Sequence, residues 1–97
     1  MEIANTILQQ LGGNRFAVMT GAKDFVGMPN GLMFGLKRGA KNGINKVRIT
    51  LDPSDTYTVE FYKIRGVDVS KVSESDMVYA ESLRKTFESA TGLYTSI

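Results

Sequence analysis

Apolar residues recur at Ile3, Ala4, Ile7, Leu8 and Leu11, the spacing of one helical face. Gly12-Gly13 follows at once and suits a helix stop, so the pattern predicts a helix over residues 2–11. Arg15-Phe16-Ala17-Val18-Met19-Thr20 reads as a strand ended by Gly21. Residues 22–31 show no clear period, apart from the turn signal Pro29-Asn30-Gly31. Leu32, Phe34 and Leu36 then alternate with Met33, Gly35 and Lys37, the period of a half-buried strand. The glycine in that strand suggests a bulge or a close backbone approach.

The clearest strand is Lys46-Val47-Arg48-Ile49-Thr50-Leu51. Asp52-Pro53-Ser54-Asp55 is a turn, and Thr56 to Ile64 is a second β-prone run with Tyr57, Val59 and Phe61 on one face. With Leu51 opposite Tyr57, Ile49 faces Val59 and Val47 faces Phe61. The same register sets Arg48 opposite Glu60 on the other face, and both faces are then consistent. Residues 65–72 read as a polar connection. Ser73-Glu74-Ser75-Asp76 offers a helix cap, and Ala80, Leu83, Phe87 and Ala90 mark a second helix over 75–91, stopped by Gly92 and followed by a tail in which Tyr94 and Ile97 pack.

The predicted fold is a single α+β domain over residues 1–97, in the order α-β-β-β-β-α. Consecutive strands without intervening helices imply a four-stranded antiparallel meander, with the N-terminal and C-terminal helices packed on one face.

Composition then narrows the chemistry. The chain of 97 residues has a hydrophobic fraction of 42% and a charged fraction of 23%, ordinary for a globular domain. It has no His, Cys or Trp, which removes disulfides, imidazole or thiolate metal sites and His- or Cys-dependent nucleophiles. Asp52 and Asp55 form a close carboxylate pair, but their spacing around Pro53 is that of a tight turn. Phosphate-loop, dinucleotide and nucleophile-elbow motifs do not occur. The expectation is a protein without catalytic residues, cofactor or metal. No apolar run approaches the ~18 residues of a membrane span, and the N-terminus lacks the pattern of a signal peptide, so a cytoplasmic location is expected.

Charge is segregated. Residues 25–51 hold Lys37, Arg38, Lys41, Lys46 and Arg48 with no acid, whereas residues 52–97 are net acidic. The loop 38–45 joins two strands, with glycines that let backbone N–H groups approach an anion. Lys46, Arg48 and Tyr62 share the solvent face of the predicted hairpin, where bases serve phosphates and a ring serves stacking. The competing reading is a solvated basic face, neutralised by the acidic half of the chain. Phe25, Val26, Met28 and Leu32, in the unpatterned stretch, are candidates for a protein interface or for the edge of the core.

Leu11-Gly12-Gly13-Asn14-Arg15-Phe16, Met19-Thr20-Gly21-Ala22-Lys23 and Ala90-Thr91-Gly92-Leu93-Tyr94 resemble small proteins encoded by phages and conjugative elements of gut-type Firmicutes. The resemblance spans most of the chain and transfers no site residue. It implies an accessory protein of a mobile genetic element, which favours binding over catalysis. The expected ligand is nucleic acid, contacted through Lys37, Arg38, Lys41, Lys46, Arg48 and Tyr62. The alternatives are a host or element-encoded protein, such as a defence complex, and a small nucleotide held by the same basic loop.

Overall fold

The first helix forms where its apolar face predicts it. In the computed structural model, which describes residues 2–37 and 40–95, helix α1 (Glu2–Leu11) buries Ala4, Ile7 and Leu11. Gly12 then turns the chain with φ 125, a conformation that side chains disfavour. Its N–H bonds back to the carbonyls of Leu8 and Gln9 at 3.2 and 3.1 Å.

A second helix follows, α2 (Gly13–Thr20), where the apolar run at 15–20 reads as a strand. A strand would put Phe16, Val18 and Thr20 on one face. The structure instead buries Gly13, Phe16 and Thr20 and leaves Val18 78% exposed, a helical spacing. Packing decides the matter. The Phe16 ring stands edge-on to Phe34 at 5.4 Å and to Phe87 at 5.2 Å, and that placement outweighs the modest β-propensity of the segment. The Thr20 hydroxyl donates to the Phe16 carbonyl at 2.7 Å and accepts from the Ala22 N–H at 3.3 Å, closing the helix before Gly21.

Among the described residues the chain then forms five strands: β1 (Ala22–Met28), β2 (Gly31–Leu36), β3 (Lys46–Leu51), β4 (Tyr57–Arg65) and β5 (Asp68–Val78). They pair in chain order as an antiparallel meander. The α+β class stands, but the sheet has five strands, not four, and the order is α-α-β-β-β-β-β-α. The strand at 22–28 escapes the periodicity because its register slips between Lys23 and Val26, where Asp24 takes φ 56. The stretch 65–72 is not a connection, and 73–76 is not a helix cap. Both belong to β5, whose alternation is weak because most of its side chains are exposed on an edge strand. Its backbone supplies the partners that the long strand β4 requires along its far edge.

The last helix, α3 (Leu83–Thr91), therefore begins after β5 and a 3-10 turn at Ala80–Ser82, later than residue 75. Its end repeats the device of α2: Thr91 donates to the Phe87 carbonyl at 2.8 Å and accepts from the Leu93 N–H at 3.2 Å. The tail is anchored by buried Thr95, whose N–H and hydroxyl both donate to Glu88 Oε2 at 2.8 Å, while Tyr94 is exposed. Ile97 lies outside the described residues.

The predicted hairpin register is the observed one, with Val47↔Phe61, Arg48↔Glu60, Ile49↔Val59 and Leu51↔Tyr57. Ile7, Leu11, Phe16, Leu83 and Phe87 from the helices meet Leu32, Phe34, Val47, Ile49, Val59 and Phe61 from the sheet in one core. All three helices thus lie on the same face of the sheet, and the alternate residues of β2, β3 and β4 form the other face.

Candidate functional site

Alternation along the strands sends Met33, Lys46, Arg48, Glu60 and Tyr62 to the face away from the helices. Antiparallel pairing then lines them up across the strands. One row runs Lys23, Gly35, Lys46, Tyr62, Lys71, and the next runs Val26, Met33, Arg48, Glu60, Glu74. A shallow depression of 180 Å³ crosses the first row, lined by Met33, Lys46, Arg48, Tyr62, Ile64 and Val69. Its apolar surface comes from Met33, Ile64 and Val69, and its rim carries two cations and a phenol. Asn45 extends the β3–β4 pairing below it. Its side-chain amide donates to the Ile64 carbonyl and accepts from the Ile64 N–H, both at 2.9 Å, as a strand residue's backbone would.

Glu60 is the hub of the charged groups. Its Oε2 accepts from the Tyr62 hydroxyl at 2.8 Å and lies 3.1 Å from Lys71 Nζ, and its Oε1 is 4.0 Å from Arg48 Nε. Lys71 also bonds Glu74, the residue facing Glu60 across β4 and β5, so its ammonium bridges two like charges. Burial works to raise the Glu60 carboxyl. The hydrogen bonds from Tyr62 and Lys71, with the charges of Lys71 and Arg48, outweigh it and hold the group below the usual carboxylate range. Burial, and then the bond to Glu60 and its charge, push the Tyr62 phenol up. The bonds to Glu74 and Glu60 hold the Lys71 ammonium above the ordinary lysine value.

The six residues singled out in the sequence do not form one cluster. Lys46, Arg48 and Tyr62 come together at the depression. Lys37 is exposed just past the end of β2. Lys41 belongs to a 3-10 turn (Lys41–Gly43) and serves the helix layer. Its stem lies against Gly92 and its ammonium reaches the Ser89 carbonyl at 3.5 Å, near the C-terminal end of α3, where a cation is favoured. Arg38 lies outside the described residues. Asn42 and Gly43 take positive φ, at 58 and 73, within this turn.

Sequence reasoning missed Lys71, Val69 and Lys23. The first two fall in residues 65–72, which read as a polar connection because a largely exposed edge strand shows no apolar alternation. Lys23 fell in the bulged strand. Of the interface candidates, Leu32 is buried and Met28 half-buried, while Phe25 packs on Phe34 at 5.4 Å and Val26 stays exposed.

Asp52 and Asp55 are turn residues. Asp52 accepts from the Thr58 hydroxyl at 2.7 Å and from the Asp55 N–H at 2.9 Å, and Asp55 has φ 65. Among the described residues no group of acids stands close enough to hold a metal ion, and no helix is long and apolar enough to cross a membrane. A wider groove of 530 Å³ between β5 and α3 is lined by Ser75, Ser82, Lys85, Thr86, Ser89 and Ala90, a set with one cation and no ring. The open face is thus where charge, an aromatic ring and apolar surface coincide. The fold and site define a small α+β sheet protein with one face covered by helices and one face open. Compared with protein-family models, curated proteins and solved structures, the chain matches none of them.

Proposed function

We propose that this chain is a non-enzymatic nucleic-acid-binding protein, an accessory of a mobile genetic element, that contacts phosphates through the open face of its sheet. The observation that carries the reading is the convergence of Lys46, Arg48 and Tyr62 on one depression with apolar surface in it. Among the described residues Lys46 has no carboxylate at ion-pair distance, and Arg48 has one at the 4.0 Å limit. Lys46 is therefore available to an anion, and Arg48 becomes so by giving up its long contact with Glu60. Attraction of this kind is electrostatic, mostly independent of sequence and sensitive to salt.

The test is fluorescence polarisation of labelled single-stranded and duplex oligonucleotides at about 50 and about 200 mM salt. Binding should weaken with salt, with a log–log slope of about −0.7 per phosphate neutralised on single strands. The double reversal Lys46→Glu with Arg48→Glu should abolish it while the far-UV circular dichroism is unchanged. Unaltered affinity in that variant sinks the assignment.

A second reading, a host or element-encoded protein partner, is favoured by exposed Val26 on the edge strand β1. An extended segment could add to that edge. Its mark would be one stoichiometric partner lost on Val26→Asp, with oligonucleotide binding untouched.

A further inference from the structure

The two cross-strand rows say more about the ligand than its charge. The row Lys23, Gly35, Lys46, Tyr62, Lys71 crosses the whole sheet from one edge strand to the other. At a strand spacing of about 4.8 Å, five strands span about 19 Å. Lys23 and Lys46 stand on the first and third strands of that line, the phenol on the fourth, and Lys71, held by Glu60 and Glu74, on the fifth. Gly35 contributes no side chain between Lys23 and Lys46, and Lys23 Cγ is 4.0 Å from where its Cβ would be. Among the described residues Lys23, like Lys46, has no ion-pair partner.

From this geometry we infer that the ligand is a single strand, lying across the β-strands along that row, with a base seated in the depression against Tyr62, Met33 and Ile64. The inference rests on the nucleic-acid reading above and narrows it. A duplex keeps its base edges inside grooves of at most about 12 Å, too narrow for the face of a sheet about 19 Å across, so a duplex can offer this surface its phosphates alone. A single strand offers both phosphates and an unstacked base. The depression has the apolar lining and the ring that a base requires. The Tyr62 hydroxyl bond to Glu60 fixes that ring in place before any ligand arrives. A line of this length holds about four nucleotides, the low end for a sheet platform.

The experiment compares labelled thymidine oligonucleotides of about four and about eight residues with a duplex of about twelve base pairs, on four new variants of the intact chain beside the Lys46 and Arg48 reversals. The short strand should bind nearly as well as the longer one, and better than the duplex. Tyr62→Ala should weaken single-strand binding about tenfold and leave the duplex unchanged. Tyr62→Phe, which keeps the ring and loses only its tie to Glu60, should lose clearly less than Tyr62→Ala. Lys23→Glu should cost several-fold, with the salt slope shallower by about 0.7, the share of one phosphate. Gly35→Val, which places a side chain beside Lys23 in the row, should act in the same direction. A thermal melt of each variant separates lost binding from lost fold. If duplex and single strand bind equally, and only the Lys46 and Arg48 reversals matter, the single-strand track is wrong and the nucleic-acid reading stands. If no oligonucleotide binds at low salt, both fall.

Discussion

Two sets of side chains leave the same three strands in opposite directions. Toward the helices, Phe34, Val47, Ile49, Val59 and Phe61 are sealed in a core with Phe16 and Phe87. Away from them, Met33, Arg48, Glu60 and Tyr62 stand in the alternate registers, partly exposed, with Arg48 and Tyr62 tied to Glu60 and not to a second layer. The covered face draws its energy from area removed from water and from ring packing, which scale with atoms buried. The open face draws on hydrogen bonds and ion pairs near solvent, each contributing little. Stability and recognition are therefore separable here, and substitutions on the two faces should give different kinds of loss.

The largest effect should come from Phe16→Ala. Its ring touches both Phe34 and Phe87 and is fully buried, so truncation removes transfer free energy and leaves a cavity, at a cost of about 3–5 kcal/mol. For a domain of this size that is a large share of the total. Tyr62→Ala on the open face should cost under about 1 kcal/mol while weakening single-strand binding about tenfold. Urea denaturation followed by circular dichroism reads both. Equal losses in the two variants would mean that the open face is part of the folding core and that the contrast fails.

What was legible in the sequence divides along the same line. The β3–β4 hairpin and its register were readable because both faces alternate cleanly, one apolar and one polar. Helix α1 was readable because five apolar residues share a face. Helix α2 was not, because Phe16, Val18 and Thr20 satisfy a strand period as well as Phe16 and Thr20 satisfy a helical one, and only tertiary packing of Phe16 separates the two. A signal was available in the repeated spacing Phe16-Thr20-Gly21 and Phe87-Thr91-Gly92, since the second copy was already read as a helix end. Strand β5 was hidden for a different reason. An edge strand with both sides largely wet has no apolar alternation to show, and Ser73 with Asp76 imitates a cap. The candidate site inherited these limits: Lys46, Arg48 and Tyr62 sit on the legible hairpin, and Lys23 and Lys71 sit on the two edges.

The paired helix ends give the next test. Thr20 and Thr91 are buried, and each hydroxyl both donates to a carbonyl one turn earlier and accepts from the second N–H that follows. Replacing either by Val keeps the shape and leaves buried backbone groups short of a partner, at about 1 kcal/mol each. The two sites lie on different helices with no shared hydrogen bond, so the double variant should be close to additive. Strong coupling in the cycle would show that the contact between Phe16 and Phe87 links the two ends.

The smallest expected change in stability is the most informative about the open face. Glu60→Gln removes the carboxylate that holds Arg48, Lys71 and the Tyr62 hydroxyl. Because the folded protein holds this carboxyl below its ordinary value of 4.5, its stabilising effect is present above the unfolded value and is lost as pH falls through the folded one. Wild type should therefore lose a few tenths to about 1 kcal/mol on acidification below about pH 4.5, and Glu60→Gln should lack that component. At neutral pH the variant starts lower by a similar amount. Its oligonucleotide affinity should move the other way, rising about two- to fivefold, because a phosphate no longer competes with a carboxylate for Arg48 and Lys71. A fall in affinity would show that Glu60 serves the site by holding the Tyr62 ring in place more than it opposes the site by its charge. Opposite signs for stability and binding in one substitution would place Glu60 as the group that ties up the cations of the open face until a phosphate replaces it.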